Sequence, residues 1–207
     1  MTERLLHRRS AVVFVILAIN ALVFIALEAT GGSANRDNLI RFGAKYNELI
    51  ARGEYWRLVT SIFLHIGFAH LLFNSLALYT FGTDLEKIYG AGKFSFIYLA
   101  AGIVGSLASY QFSASISAGA SGAIFGLIGL SLVFGFRYRP VIPPRLKSRF
   151  GAGVMPVILY NVLYGLRPGS HIDNFAHLGG LAAGIVLGLI VPASLGATDD
   201  PLVQGPP

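Results

Sequence analysis

The 207-residue chain contains no cysteine. Disulfides, thiol nucleophiles and thiolate metal sites are therefore excluded, and nothing follows about redox compartment. Charge is the second scarcity. Only 13% of the residues are Asp, Glu, Lys or Arg, against about 25% in a typical soluble domain. Sixteen basic and ten acidic side chains are too few to clothe a soluble domain of this length. Apolar residues fill the space: 54% of the chain is hydrophobic and the mean hydropathy is +0.65. That reverses the signature of a disordered segment and makes lipid the solvent for most of the surface. A net charge of +6 would suit nucleic acid, but its distribution has another explanation.

Charges cluster in short gaps and leave long stretches with none. These cover residues 11–27, 58–81, 94–121, 122–136, 150–166 and 174–191. The third holds a small polar centre (Gln111, Ser113, Ser115, Ser117), which predicts a turn where it ends. A spanning helix needs about 20 apolar residues, so six spans fit once flanking residues are included. The fifth is the weakest, interrupted by Pro156, Asn161 and several glycines. The expected fold is all-α: a polytopic membrane protein with six transmembrane helices. Residues 1–10 form a cytoplasmic N-terminal segment, 11–192 the membrane domain and 193–207 a disordered cytoplasmic tail.

Orientation follows from the basic residues. Arg4, Arg8 and Arg9 precede span one, and Lys87 and Lys93 separate spans two and three. Arg137, Arg139, Arg145, Lys147 and Arg149 separate four and five without an acid among them. With six spans these segments share one side, and the positive-inside rule places both termini in the cytoplasm. The basic excess is thus an orientation signal, and no nucleic-acid partner is expected. A cleaved signal peptide is the other reading of residues 1–29. Its uncharged run exceeds the usual h-region of about 7–15 residues, which favours a retained anchor. A chain without appended domains suggests a prokaryotic cytoplasmic membrane.

Polar residues inside the spans are costly and are functional hypotheses by default. Span two carries His65, His70 and Asn74; span four opens on Gly119-Ala120-Ser121-Gly122; span six opens on Asn174-Phe175-Ala176-His177. An α-helix rises 1.5 Å per residue, so Ser121 lies roughly 24 Å above Arg137 and His177 roughly 22 Å above Pro192. Both spans run in the same direction, which brings the two residues to one level. A serine hydroxyl is a weak nucleophile until an adjacent base activates it, and histidine is the usual base. The N–H groups at the start of span four would face any negative charge that develops, and His70 and Asn74, one turn apart, could supplement them. Gly122/Gly126 and Gly180/Gly184/Gly188 form small-residue faces that let spans four and six approach closely.

These motifs together resemble the rhomboid intramembrane serine proteases: Gly119-Ala120-Ser121-Gly122, Ala176-His177-Leu178-Gly179-Gly180, His70-Leu71-Leu72-Phe73-Asn74, and Tyr55-Trp56-Arg57 before span two. The resemblance runs from about Glu54 to Gly188. It implies a six-helix rhomboid-like bundle that cleaves membrane-anchored, single-span proteins in or near the membrane, with no cofactor and no metal. It implies Ser121 as nucleophile, His177 as general base, and His70, Asn74 and the Ser121 N–H as the oxyanion hole. The loop around residues 167–173 would be a mobile cap over the site. Phe125 stands where the family often has Tyr; a phenyl ring could still pack on His177, but the phenolic hydrogen bond is lost. Glu86, in the turn after span two, has a structural role.

Each residue has a plainer reading. Ser121 alone suits a small helix-interface residue, His177 a transporter's proton path, and His70 and Asn74 cross-helix hydrogen bonds. His65, five residues from His70, falls on another face and is structural. His171 is a solvated loop residue, and Asp173 has no catalytic role because the resemblance implies a dyad. Trp56 and Arg57 serve either as an interfacial anchor or to stabilise the loop. A non-catalytic rhomboid-like client-binding protein would have no need of both Ser121 and His177. A small transporter would show inverted repeats or intramembrane acids, and neither is evident.

Overall fold

The computed structural model describes residues 9–170 and 172–195. Arg4, Arg8, His171 and residues 196–207, singled out above, lie outside the described residues. The fold is all-α, 75% helical, with no strand among the described residues; an isolated antiparallel bridge pairs Lys45 with Ser117. The helices are α1 (Ala11–Ala29), α2 (Arg36–Phe42), α3 (Asn47–Ala51), α4 (Arg57–Thr60), α5 (Phe68–Ala77), α6 (Thr83–Tyr89), α7 (Ala91–Phe112), α8 (Ser121–Arg137), α9 (Met155–Gly165) and α10 (Asn174–Ile190).

Helix α8 forms the centre. From Gly122 to Leu130 every residue is buried, as expected of a helix apolar all the way round. Helix α1 is equally apolar but peripheral: Val13, Ile16, Asn20 and Leu27 face inward, while Phe14, Leu22 and Ile25 are exposed. That outward surface is suited to hydrocarbon. The seam between α8 and α10 is made of glycine. A Cβ on Gly180 would land on the carbonyl of Gly122, and one on Gly184 on that of Gly126. The small-residue faces expected from sequence are therefore backbone-to-backbone contacts.

Helices α1 and α7 are long and apolar enough to cross a membrane. A third candidate is the pair 57–63 and 68–89, bent by 91°. Helices α8, α9 and α10 are apolar but shorter. The bend corrects the reading of residues 58–81 as one continuous helix. α4 and a 3-10 turn (Ser61–Phe63) end at Leu64, which is extended, and Gly67 turns the chain at φ +78° before α5 begins. No charge marks this break, so the hydropathy pattern passes over it. α5 then runs through a π turn (Leu78–Gly82) into α6, which ends at Tyr89, eight residues beyond the expected end.

Glu86 on α6 is buried and accepts hydrogen bonds from the Val12 and Val13 N–H groups at 2.9 and 2.8 Å. A carboxylate at the positive end of α1 satisfies two donors that the helix cannot. Residues 193–195, expected at the start of the tail, are packed. Ala193 N–H meets Tyr138 Oη at 3.3 Å, and Ser194 Oγ donates to the Tyr89 carbonyl at 2.9 Å.

Candidate active site

Helix α8 starts at Ser121 because the chain before it is held in a non-helical path. Gly119 has φ +142°, which a side chain would strain. Its N–H donates to the Ser61 carbonyl at 2.9 Å, and the Ala120 N–H meets His65 Nε2 at 3.5 Å. Four residues upstream of Ser121, Ser117 exchanges two backbone hydrogen bonds with Lys45, at 2.9 and 3.1 Å. Ser121 is therefore delivered to the first turn of a buried helix, where backbone N–H groups lack intrahelical acceptors.

Helix α10 starts with equal definition. Asp173 caps it, Oδ1 accepting from the Ala176 N–H at 3.0 Å, while Oδ2 takes the hydroxyl of Ser109 on α7. An N-cap aspartate of this kind is worth about 1 kcal/mol to a helix. His177 follows within the first turn and is 5% exposed. Its ring lies against Phe125, with 4.1 Å between centroids and 12° between planes. Among the described residues nothing accepts from or donates to its buried Nδ1.

The two helix starts meet through their backbones. A Cβ on Gly122 would lie 3.3 Å from the Ala176 carbonyl, and one on Gly105 of α7 would lie 2.7 Å from it. Residues 121 and 177 are the direct chain neighbours of this contact. No hydrogen bond joins Ser121 to His177 among the described residues.

His70 completes the cluster. Its Nδ1 accepts from the Ile66 N–H at 3.3 Å, so the neutral ring carries its proton on Nε2. A side chain begun on Gly119 would start 2.9 Å from His70 Nε2 and 3.7 Å from Ser121 Oγ. Both atoms thus border the small volume that glycine leaves empty. Asn74, buried one turn on, spends one amide hydrogen on the His70 carbonyl at 2.9 Å and keeps the other. The segment entering α5 is itself tied back: the Gly67 N–H donates to Ser33 Oγ at 3.1 Å, and Ser33 hydrogen-bonds Glu28.

The four residues singled out in the sequence occupy one region. Sequence reasoning placed His65 and His70 on different faces of one helix, but His65 lies in the break before α5 and its ring meets that of His70 edge-on, 5.4 Å between centroids. Nor did sequence reasoning anticipate that His65, fully buried, receives the Ala120 N–H. Lys45 it missed altogether. This lysine is 0% exposed, with Nζ 2.8 Å from the carbonyls of both Ser113 and Ser115. Burial pulls its pKa down to about 8 against the opposing pull of the Asp173 charge. A lone lysine in a loop gives no sequence signal of such burial. Arg57 resolves the choice left open for its motif. It is buried, pairs with Glu54 at 2.6 Å and donates to the Ile40 carbonyl at 2.6 Å, so it braces the loop. Trp56 is 48% exposed and lies 4.5 Å from the Arg57 guanidinium.

These features define a class: a helical integral membrane protein with a serine, two histidines and an asparagine gathered where two glycine-seamed helices begin. Residues 52–194 match the family model described as Rhomboid domain. The chain belongs to the rhomboid family. It is 49% identical over 171 residues to Rhomboid protease GluP of Bacillus subtilis (strain 168), covering 83% of this chain and 33% of that one. It is 36% identical over 183 residues to the Putative rhomboid protease YdcA of the same organism, covering 86% and 87%. Rhomboid-like protease 1 of Toxoplasma gondii is 37% identical over 157 residues, covering 73% and 52%. The chain thus spans a third of GluP and most of YdcA.

Proposed function

We propose that this protein is an intramembrane serine endopeptidase that cleaves membrane-anchored, single-span proteins in or near their membrane segment. The observation that carries the reading is the shared border of Ser121 Oγ and His70 Nε2 on the space at Gly119, beside the contact that seats His177. Ser121 Oγ attacks the scissile carbonyl carbon as His177 takes its proton. The resulting oxyanion is held by the Ser121 N–H, His70 Nε2–H and the free Asn74 amide hydrogen. Collapse breaks the C–N bond, and the leaving amine takes the proton from His177. Water, deprotonated by His177, then hydrolyses the acyl-enzyme and regenerates Ser121. No carboxylate meets His177 Nδ1 among the described residues, so the ring's orientation rests on Phe125. This supports a dyad rather than a triad.

The six apolar helical segments serve as six spans. Both termini then lie on the cytoplasmic side of a prokaryotic membrane, and Ser121 opens toward the opposite side. The direct test is labelling of the detergent-solubilised protein with a fluorophosphonate. Wild type should label and Ser121→Ala should not; labelling that persists in the variant sinks the assignment.

A further inference from the structure

Lys45 is a buried cation with no part in the chemistry above. A lysine taken out of water is costly and is retained only where its hydrogen bonds are met. Here they are met at one place, the turn just past α7. That helix stops at Phe112, and the carbonyls of its last turn and of the turn that follows need partners from elsewhere in the chain. Lys45 Nζ takes the carbonyls of Ser113 and Ser115, and Asn47 Nδ2 takes those of Tyr110 and Ser113 at 2.9 and 3.1 Å. A cation there also complements the negative end of the helix dipole. The same turn of α7 reaches the other half of the site, since Ser109 donates to Asp173, the cap of the His177 helix. Downstream, the backbone of Lys45 pairs with Ser117, two residues before Gly119.

We propose that Lys45 is a positioning residue for Ser121. Its ammonium and its backbone together fasten residues 113–117, and that segment sets where Gly119 and the Ser121 N–H stand. The loop before α4 is in this way part of the oxyanion site without touching substrate. Asn47 is the auxiliary fastener, sharing the Ser113 carbonyl with Lys45 and adding that of Tyr110. The inference rests on the proposed role of Ser121 and adds to it a residue that the sequence motifs do not include.

The test compares wild type, Lys45→Met, Lys45→Arg and Asn47→Ala as the 207-residue protein in detergent. The readouts are fluorophosphonate labelling rate, kcat and KM on a single-span peptide substrate, and thermal midpoint. Lys45→Met should lose at least tenfold in labelling rate and in kcat while KM stays within twofold. Lys45→Arg, which keeps the cation, should recover most of that loss. Asn47→Ala should fall between Lys45→Met and wild type. Lys45→Met labelling at the wild-type rate overturns the proposal, as does an arginine variant as slow as the methionine one at an equal midpoint. Should Lys45→Met fail to fold, Asn47→Ala decides: a folded variant labelling at the wild-type rate overturns it. Absence of labelling in wild type would instead refute the reading of Ser121, so the two failures are distinguishable.

Discussion

The ring of Phe125 lies flat on the imidazole of His177, 4.1 Å between centroids. Phe125 is one turn along α8 from Ser121, so the helix that presents the hydroxyl also presents the surface that orients the imidazole. Stacking replaces the hydrogen bond that an orienting carboxylate would make.

Phe125→Ala should therefore release the imidazole. Truncating a buried phenylalanine costs about 3–5 kcal/mol of stability, and the freed ring should slow fluorophosphonate labelling by tenfold or more. Phe125→Tyr should keep the stack and label within about threefold of wild type. Equal labelling of the alanine variant and wild type would deny the ring any orienting role.

Removing Ser121 or His177, the proposed nucleophile and base, should be far more severe. Ser121→Ala and His177→Ala should each lower kcat by roughly three orders of magnitude or more, and the double variant should lose no more than the worse single one, because the two residues act as a unit. Multiplicative losses in the double variant would argue that they work separately.

The glycine seam predicts sensitivity at positions with no chemistry. A methyl at Gly184 would meet the Gly126 carbonyl, with no rotamer available to absorb it. Gly184→Ala should lower the thermal midpoint markedly and abolish cleavage, whereas Gly92→Ala, where a Cβ meets nothing within 4 Å, should do neither. Similar midpoints for the two variants would contradict the packing.

Glu86→Gln should cost about 1 kcal/mol through loss of charge at the start of α1, and Glu86→Ala more, with cleavage retained wherever the protein is folded. Midpoints of purified variants check the order.

Lys45 gives a pH signature. Its pKa is 10.5 in an exposed lysine and about 8 in the fold, so between these values the unfolded chain binds more protons. Wild type should accordingly gain stability relative to Lys45→Met as pH rises from 8 to 10.5. A difference that falls or stays flat across that window contradicts the burial.

The starts of α8 and α10 were legible because both carry local marks: glycines around Ser121, and a capping aspartate four residues before His177. The packing of those helices was legible too, since glycine at every fourth position admits little else. The break before α5 was not, because Leu64, Ile66 and Phe68 are as apolar as the helices they interrupt. Only Gly67 hints at it. Lys45 was invisible for another reason. Its burial depends on carbonyls nearly seventy residues away in the chain, and no pattern within its own segment encodes them.

A joint built from carbonyls resting on α-carbons has no side chains to rearrange, so α8 and α10 have no intermediate degree of separation to adopt. A shift of α10 against α8 would therefore carry His177 relative to Ser121 directly, with no side chain between the two backbones to take it up. Helix α9 has no such joint: along its length only Ile158 is buried.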